Sequence, residues 1–302
     1  MQTSAVTEGV VVVGAGLMGT GIAHAFATAG HAVTLVDVSP GALDAAIGSI
    51  RKILADGVRL SKVTEEDARA AIGRVATSTN LAGSLDSRSI GLLLETAIES
   101  ITVKKDIVRE ADRLLPDETV IATNTSALSV TEIAAATNRA DRVVGMHFFN
   151  PVHKMKLLEI VRGMATSDET IARARAGGES IGKTSILVNE SPGLTTSRMS
   201  ALMGNEAMYM LMEGTASAED IDTALRLGFN HPMGPLELGD LTGWDTRLAV
   251  LKYLHESLGE KFRPCPLIAK MGKAGRLGRK AGKDVQEYVD GQRVPGSGLS
   301  VR

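Results

Sequence analysis

One cysteine among 302 residues, Cys265, excludes an internal disulfide. No uninterrupted apolar stretch approaches the roughly 20 residues that a membrane-spanning helix requires. The opening MQTSAVTEG lacks the basic-then-apolar pattern of a secretion signal. An excess of charge is also missing: 33 basic against 35 acidic side chains leaves a net charge of −2. That balance gives no global attraction to nucleic acid or to an anionic membrane, so any acidic ligand must be held by local groups. The expectation is a cytoplasmic protein in a reducing setting. What is present is ordinary globular material, 44% hydrophobic and 23% charged, in a chain long enough for two domains with separate cores.

Up to about residue 190, short β-branched runs alternate with helical patterns. GVVVVG (9–14) reads as a buried strand, followed by a helix ending near Gly30, and AVTLVD (32–37) reads as a second strand. Ser39-Pro40 supplies a cap and a first-turn proline for a helix through Leu54, and Thr64 starts another with acids in its first turn. Further strands are expected at 89–95, 119–123, 142–148, 155–161 and 185–189, with helices opened by Ser129 and Ser167 between them. Such alternation predicts an α/β domain: a Rossmann-like, doubly wound and mostly parallel sheet. After Ser191-Pro192-Gly193 helical periods dominate, with helices expected over 194–213, 218–227 and 240–258. The predicted organisation is therefore a Rossmann-like domain over 1–190 and an all-α domain over 191–302. The tail over 272–283 and the final VPGSGLSVR read as mostly irregular.

Gly14-Ala15-Gly16-Leu17-Met18-Gly19 follows a strand directly and opens a helix, the context in which GxGxxG is informative. The first glycine permits a tight turn, the second lets a pyrophosphate approach the backbone, and the third lets helix and strand pack closely. The helix N-terminus, at Leu17 and Met18, then offers unpaired N–H groups to the phosphates. Asp37 ends the second strand, where a carboxylate accepts hydrogen bonds from an adenosine ribose and repels a 2′-phosphate. The cofactor expected is NAD rather than NADP. The alternative is a plain glycine turn with a capping aspartate.

In MHFFNPVHKMKLLEI (146–160), His147, His153 and Glu159 are equally spaced. One continuous strand would place all three on a single face, as a metal triad requires. Asn150-Pro151 argues against it, because proline cannot donate to a ladder and bends the chain. His147 then lies near the C-terminal end of its strand, His153 in the connection and Glu159 on the next strand, and no metal is expected. An imidazole beside a carboxylate suits acid–base work, and a satisfied core His–Glu pair is the alternative. A nicotinamide site in the same domain moves the balance to catalysis.

Other residues have plainer readings. Met199, Met203, Met208 and Met212 lie at helical spacing and suit a core or a subunit contact. His24 and His255 read as surface or packing residues, His231 as a loop residue, and Trp244 as a packing anchor. The basic run from Lys270 to Lys283 reads as a solvated face that could attract phosphates.

These motifs together resemble the L-3-hydroxyacyl-CoA dehydrogenases, specifically their short 3-hydroxybutyryl-CoA branch. The resemblance is carried by GAGLMGTGIA, TNTSALSVTEIA, RVVGMHFFNPVHKMKLLEIV, SPG with Arg198, ASAEDID, NHPMGPLELGDLTGWDT and GRLGRKAG. It implies oxidation of an L-3-hydroxyacyl-CoA to the 3-ketoacyl-CoA with NAD, or the reverse. By that resemblance His147 takes the hydroxyl proton and Glu159 supports the resulting imidazolium. Ser126 bonds the reacting oxygen near the nicotinamide, and Asn150 positions substrate and cofactor. Glu99 and Lys104 match positions near the nicotinamide and its ribose; without the resemblance they read as a solvated pair at a helix start. Ser49 matches a CoA contact, and the helical domain is expected to form a homodimer.

Four departures bear on the substrate rather than the reaction. Ser197 stands where the family commonly has asparagine, and its shorter side chain reaches a substrate carbonyl less directly. Asp56 stands in a segment where relatives carry basic residues toward the CoA phosphates, with Arg59 or Lys62 as substitutes. Asp284 and Gln286 lie in a segment, 282–288, that replaces a Gly-aromatic stretch. An acyl-carrier-protein thioester or a substituted 3-hydroxyacyl unit is therefore an alternative substrate. A non-catalytic NAD-binding protein, structural or sensory, is the competing class, and intact Ser126, His147, Asn150 and Glu159 speak against it.

Overall fold

Valine-rich runs with no polar alternation need cover on both faces, and in the computed structural model they are central strands of one sheet. The structure describes residues 9–85, 89–279, 284–289 and 292–299. The expectations placed on residues 1–8 and on Lys280, Ala281, Gly282 and Lys283 lie outside them. The chain divides into two compact units, Met1–Glu190 and Ser191–Arg302.

The first unit runs β1 (Gly9–Val13), α1 (Leu17–Thr28), β2 (Val33–Val36), α2 (Pro40–Arg59), α3 (Glu65–Gly73), β3 (Val75–Ser78), α4 (Leu81–Leu85), β4 (Ile90–Glu95), α5 (Ile101–Leu114), β5 (Val120–Thr123), α6 (Val130–Ala134), β6 (Val143–Phe148), β7 (Leu157–Arg162), α7 (Asp168–Ser180) and β8 (Thr184–Asn189). The strands form one sheet in the order β3-β2-β1-β4-β5-β6-β7-β8. The order reverses between β1 and β4, which opens a crevice at their carboxyl ends. Among the described residues of this sheet, β6 with β7 is the one antiparallel pairing. On one face Val10, Val12, Leu94, Ala122 and Met146 pack with Ile22 and Phe26 of α1 and Ile50 of α2 in a single core.

The caps read from the sequence are formed: Ser39, Thr64, Ser129 and Ser167 each accept a hydrogen bond from the third residue of the helix that follows. Two differences stand out. α2 continues to Arg59, beyond Leu54, because Ala55 to Arg59 contain no breaker that the helix cannot absorb. β3 carries no strand signal in the sequence, since VATS is a half-exposed edge strand without an apolar run.

The second unit runs α8 (Thr196–Glu213), α9 (Ala218–Gly228), α10 (Pro235–Thr242), α11 (Trp244–Leu258), α12 (Pro266–Lys273) and the two-residue strands β9 (Tyr288–Val289) and β10 (Gln292–Arg293). Its core gathers Met208, Leu211, Leu236, Trp244, Leu251, Phe262 and Ile268. The helix expected over 240–258 is two helices, because Gly243 adopts φ +93°, a conformation that ends α10 and turns the chain into α11. Trp244 is buried against Gly239, where a Cβ would stand 2.1 Å from the indole. The methionine row divides: Met208 is fully buried, whereas Met199 is exposed.

Candidate active site

At the carboxyl end of β1, each glycine of the first motif has its own reason to lack a side chain. Gly14 has φ +106°, and a Cβ there would meet the Thr96 and Ala97 backbone at 2.9 Å. A Cβ on Gly19 would stand 1.8 Å from the Gly14 carbonyl oxygen, so helix and strand could not approach as they do. Around Gly16 nothing lies within 4 Å, which leaves room for a ligand to reach the backbone. No side chain caps the N-terminus of α1, so the N–H groups at Leu17 and Met18 face that room. Asp37 Oδ2 accepts from Ala15 N at 2.8 Å and Oδ1 from Ser39 N at 2.9 Å, which fixes the carboxylate beside the loop. A carboxylate has further lone pairs, and these are available to a ribose. Open backbone, an uncapped helix end and a fixed carboxylate together fit a dinucleotide.

On the other side of the crevice the ends of β4 and β5 carry a network. Lys104 is fully buried, and its Nζ donates to Glu95 Oε1 at 3.0 Å and Oε2 at 2.9 Å. Thr123 Oγ1 donates to Glu95 Oε2 at 2.7 Å, and Ala97 N to Oε1 at 2.6 Å. Glu99 Oε2 lies 3.5 Å from the same ammonium, while its Oε1 accepts from Thr125 Oγ1 at 2.5 Å and Ser126 N at 3.2 Å. Glu99 and Lys104 are thus no solvated pair. Burial of the lysine stem behind Glu95 was not visible in the sequence, because the buried partner sits at a strand end that reads as ordinary polar termination. Ser126 itself is exposed on the loop after β5, held through its amide by Glu99. Asn124 closes the row: its Oδ1 accepts from Phe148 N at 2.9 Å and so ties the end of β5 to the end of β6.

There His147 and Glu159 are directly paired across β6 and β7. His147 Nδ1 lies 2.7 Å from Glu159 Oε2, with Glu159 fully buried and His147 8% exposed. Alternation places both on the face opposite Met146 and Phe148. An imidazole fixed at Nδ1 by a carboxylate presents Nε2 for proton exchange. The turn at Asn150-Pro151, a cis peptide, reverses the chain between the strands. His153 lies in that connection and its ring stands edge-on to His24, 5.8 Å between centroids, rather than beside His147. The described residues hold no group of three or more side chains placed to bind a metal ion.

A cavity of about 470 Å³ lies between the start of α1, α2 and this connection, lined by Gly16, Thr20, Ala46, Ser49, Asn150 and His153 among others. Ser49 and Asn150 are thereby on one cavity. His24 is buried rather than superficial: desolvation, then the charges of His153 and Lys183, hold its pKa down to about 4. His153 is lowered too, by desolvation and then by Lys154, Lys183 and Lys62. Lys183 Nζ ties the connection down by donating to the carbonyls of Val152 and Met155. Asp56, on the solvent side of α2, is paired with Arg59 at 2.9 Å.

In the second unit Ser197 lies in the first turn of α8. Asp284 and Gln286 are buried. Val285 N and Gln286 N donate to Asp240, whose Oδ1 also accepts from Trp244 Nε1 at 2.7 Å. Gln286 Nε2 donates to Asp222 Oδ2 at 2.6 Å. Burial pushes the Asp222, Asp240 and Asp284 carboxyls up to about 6. His255 is partly exposed and pairs with Glu260 at 3.1 Å.

A glycine loop at a sheet's switch point, with an imidazole and a carboxylate paired across β6 and β7 of the same sheet, defines a dinucleotide-dependent oxidoreductase. Comparison with known proteins names the class more closely. Residues 9–191 match the model of the 3-hydroxyacyl-CoA dehydrogenase NAD binding domain, and residues 193–288 match that of the 3-hydroxyacyl-CoA dehydrogenase C-terminal domain. The chain belongs to the 3-hydroxyacyl-CoA dehydrogenase family of NAD-dependent oxidoreductases. It is 44% identical over 282 residues to a probable 3-hydroxybutyryl-CoA dehydrogenase of Bacillus subtilis, covering 93% of this chain and 97% of that one. It is 42% identical over 293 residues to the 3-hydroxybutyryl-CoA dehydrogenase of Bradyrhizobium diazoefficiens, covering 97% and 99%. Among solved structures, the (S)-3-hydroxybutyryl-CoA dehydrogenase of Ralstonia eutropha matches with TM-score 0.89 and 41% identity, over 94% of this chain and 100% of that one.

Proposed function

We propose that the protein oxidises a short-chain L-3-hydroxyacyl-CoA, 3-hydroxybutyryl-CoA or a close analogue, to the 3-ketoacyl-CoA, or runs the reverse reduction. The observation that supports this most is the His147–Glu159 pair at 2.7 Å, with the carboxylate fully buried. When bound, NAD supplies the hydride acceptor or donor for C3. The chain manages the proton. His147 Nε2 takes it from the C3 hydroxyl, and Glu159, accepting at Nδ1, holds the tautomer and offsets the imidazolium charge. Ser126 donates to the reacting oxygen, and Asn150 orients the thioester end from the cavity wall. Ser49, on the same cavity, touches the thioester arm. Ser197, in the first turn of α8, is a substrate-binding residue by the family resemblance. Gly14, Gly16, Leu17, Met18, Gly19 and Asp37 hold the pyrophosphate and adenosine half of the dinucleotide, with Glu99 on the nicotinamide half. Lys104 presents no surface and acts through Glu99. We further propose a cytoplasmic homodimer formed through the helical unit.

The deciding experiment compares reduction of acetoacetyl-CoA by NADH with reduction of the same acyl group on an acyl carrier protein, at equal thioester concentrations. Faster turnover of the CoA thioester is expected. Negligible turnover of it, with activity on the carrier protein, would transfer the assignment to carrier-bound 3-hydroxyacyl units. Absence of activity on both, with NADH still bound, would favour a non-catalytic NAD-binding role.

A further inference from the structure

The crevice divides its dinucleotide asymmetrically. Asp37, on the β2 side of the glycine loop, takes the adenosine half, so the nicotinamide half runs to the β4 and β5 side. On that side stand two carboxylates, Glu95 and Glu99, and one ammonium, Lys104, within 3.5 Å of both. The other donors to these carboxylates, from Thr123, Ala97, Thr125 and the Ser126 amide, carry no charge. The next cation along α5, Lys105, is committed to Glu132 at 3.2 Å. The network therefore keeps one uncompensated negative charge. Because Glu95 and Lys104 are sealed from solvent while the Glu99 side chain is 42% exposed, that charge is presented to the crevice by Glu99.

An oxidised nicotinamide ring is a cation and the reduced ring is neutral. A fixed negative charge close to the ring attracts only the former, and low-dielectric walls preserve the attraction. We propose that the Glu95–Lys104–Glu99 network biases the site toward oxidised NAD, with Glu99 supplying the charge and the buried Glu95–Lys104 pair acting as positioning residues that hold Glu99 and the Ser126 loop. The inference rests on the NAD-dependent reading above and adds a preference between the two redox forms. Its consequence is a tilt of the bound-state equilibrium toward ketone reduction, since the oxidised product form is the one held more tightly.

The test measures binding of each form separately, by titration calorimetry for NAD+ and by quenching of nicotinamide fluorescence for NADH. Glu99→Gln is expected to weaken NAD+ on the order of tenfold while NADH changes by less than about threefold. Glu99→Asp keeps the charge on a shorter stem, so both affinities fall together and their ratio stays constant. The double variant Glu95→Gln/Lys104→Met removes one charge of each sign and leaves the net charge unchanged. It is expected to weaken both forms at constant ratio. A Glu99→Gln protein whose two affinities change equally, or not at all, overturns the proposal, because a merely structural role moves both alike. If the double variant fails to fold, the two Glu99 variants still decide. A wild-type protein that binds neither form overturns the NAD-dependent reading as well, whereas normal binding with an unmoved ratio overturns only this inference.

Discussion

His147 and Glu159 occupy opposite positions of one antiparallel ladder, Nδ1 to Oε2 at 2.7 Å, and the carboxylate has no solvent exposure. An imidazole so held has one nitrogen committed and the other free to exchange a proton. His147→Gln is expected to lower kcat by about 10² to 10⁴ while the NADH Kd stays within about threefold. Glu159→Gln keeps a hydrogen-bonding group but loses the charge that favours the imidazolium, so turnover should fall about tenfold or more and its pH profile should move. Steady-state reduction of acetoacetyl-CoA, paired with NADH titration, checks both. An unchanged kcat in His147→Gln would remove the dyad from the mechanism.

The glycine loop separates fold from ligand binding at two positions. At Gly19 an added Cβ has no place, so Gly19→Ala should lower the melting temperature and abolish dinucleotide binding together. At Gly16 an added Cβ meets nothing in the protein, so Gly16→Ala should melt like the wild type yet bind NADH on the order of tenfold more weakly. Thermal melts and NADH titrations on the two variants would distinguish them. A Gly16→Ala protein with wild-type affinity would show that no pyrophosphate approaches there.

His24 makes stability depend on pH. Its folded pKa is about 4 against 6.5 for the ordinary group, so between those values the unfolded chain binds the proton and the native state does not. The contribution is fully present above the ordinary value and is lost as pH falls toward 4. Between about pH 7.5 and about pH 5 that loss amounts to about 2 kcal/mol. Urea unfolding of the wild type and of His24→Gln at both pH values should show the variant losing less stability on acidification. Identical losses would mean that another group carries the dependence.

Asp56 is half exposed and tied to Arg59 on the outer side of α2. If the CoA phosphates pass α2, Asp56→Lys adds attraction and releases Arg59. KM for acetoacetyl-CoA should fall about threefold, with kcat unchanged. The acetoacetyl thioester of N-acetylcysteamine, which lacks phosphates, should show no change. Equal effects on the two substrates would place the phosphates elsewhere.

Much of this site was legible in the sequence because its signals are local. The glycine motif needs only the strand before it and the helix after it, and Asn150-Pro151 announces the reversal that brings His147 opposite Glu159. The bends and caps at Ser39, Thr64, Ser129 and Ser167 are equally local. What escaped depends on partners remote in sequence. Lys104 reads as a surface lysine until Glu95 and Thr123 are seen around it. β3 lacks an apolar run because it is an edge, and Gly243 breaks a helix whose period continues on both sides. The segment from Asp284 to Tyr288 reads only as a replacement for a Gly-aromatic stretch, yet Asp240, more than forty positions earlier, holds its backbone. His24 reads as packing or surface, and only the fold reveals how far it is desolvated.

The reversal at Asn150-Pro151 has a mechanical consequence. The two members of the proposed acid–base pair are twelve residues apart on a single hairpin, so their separation is set by neighbouring rungs of one ladder. Apart from Asn150, which sits in the connection itself, the other groups proposed for the site arrive on different strand ends or helices. Loosening elsewhere in the molecule would shift cofactor and substrate against the dyad while leaving its two members in step. Drift of that kind would register as poorer alignment for hydride transfer, with the proton-handling half of the machine still in tune.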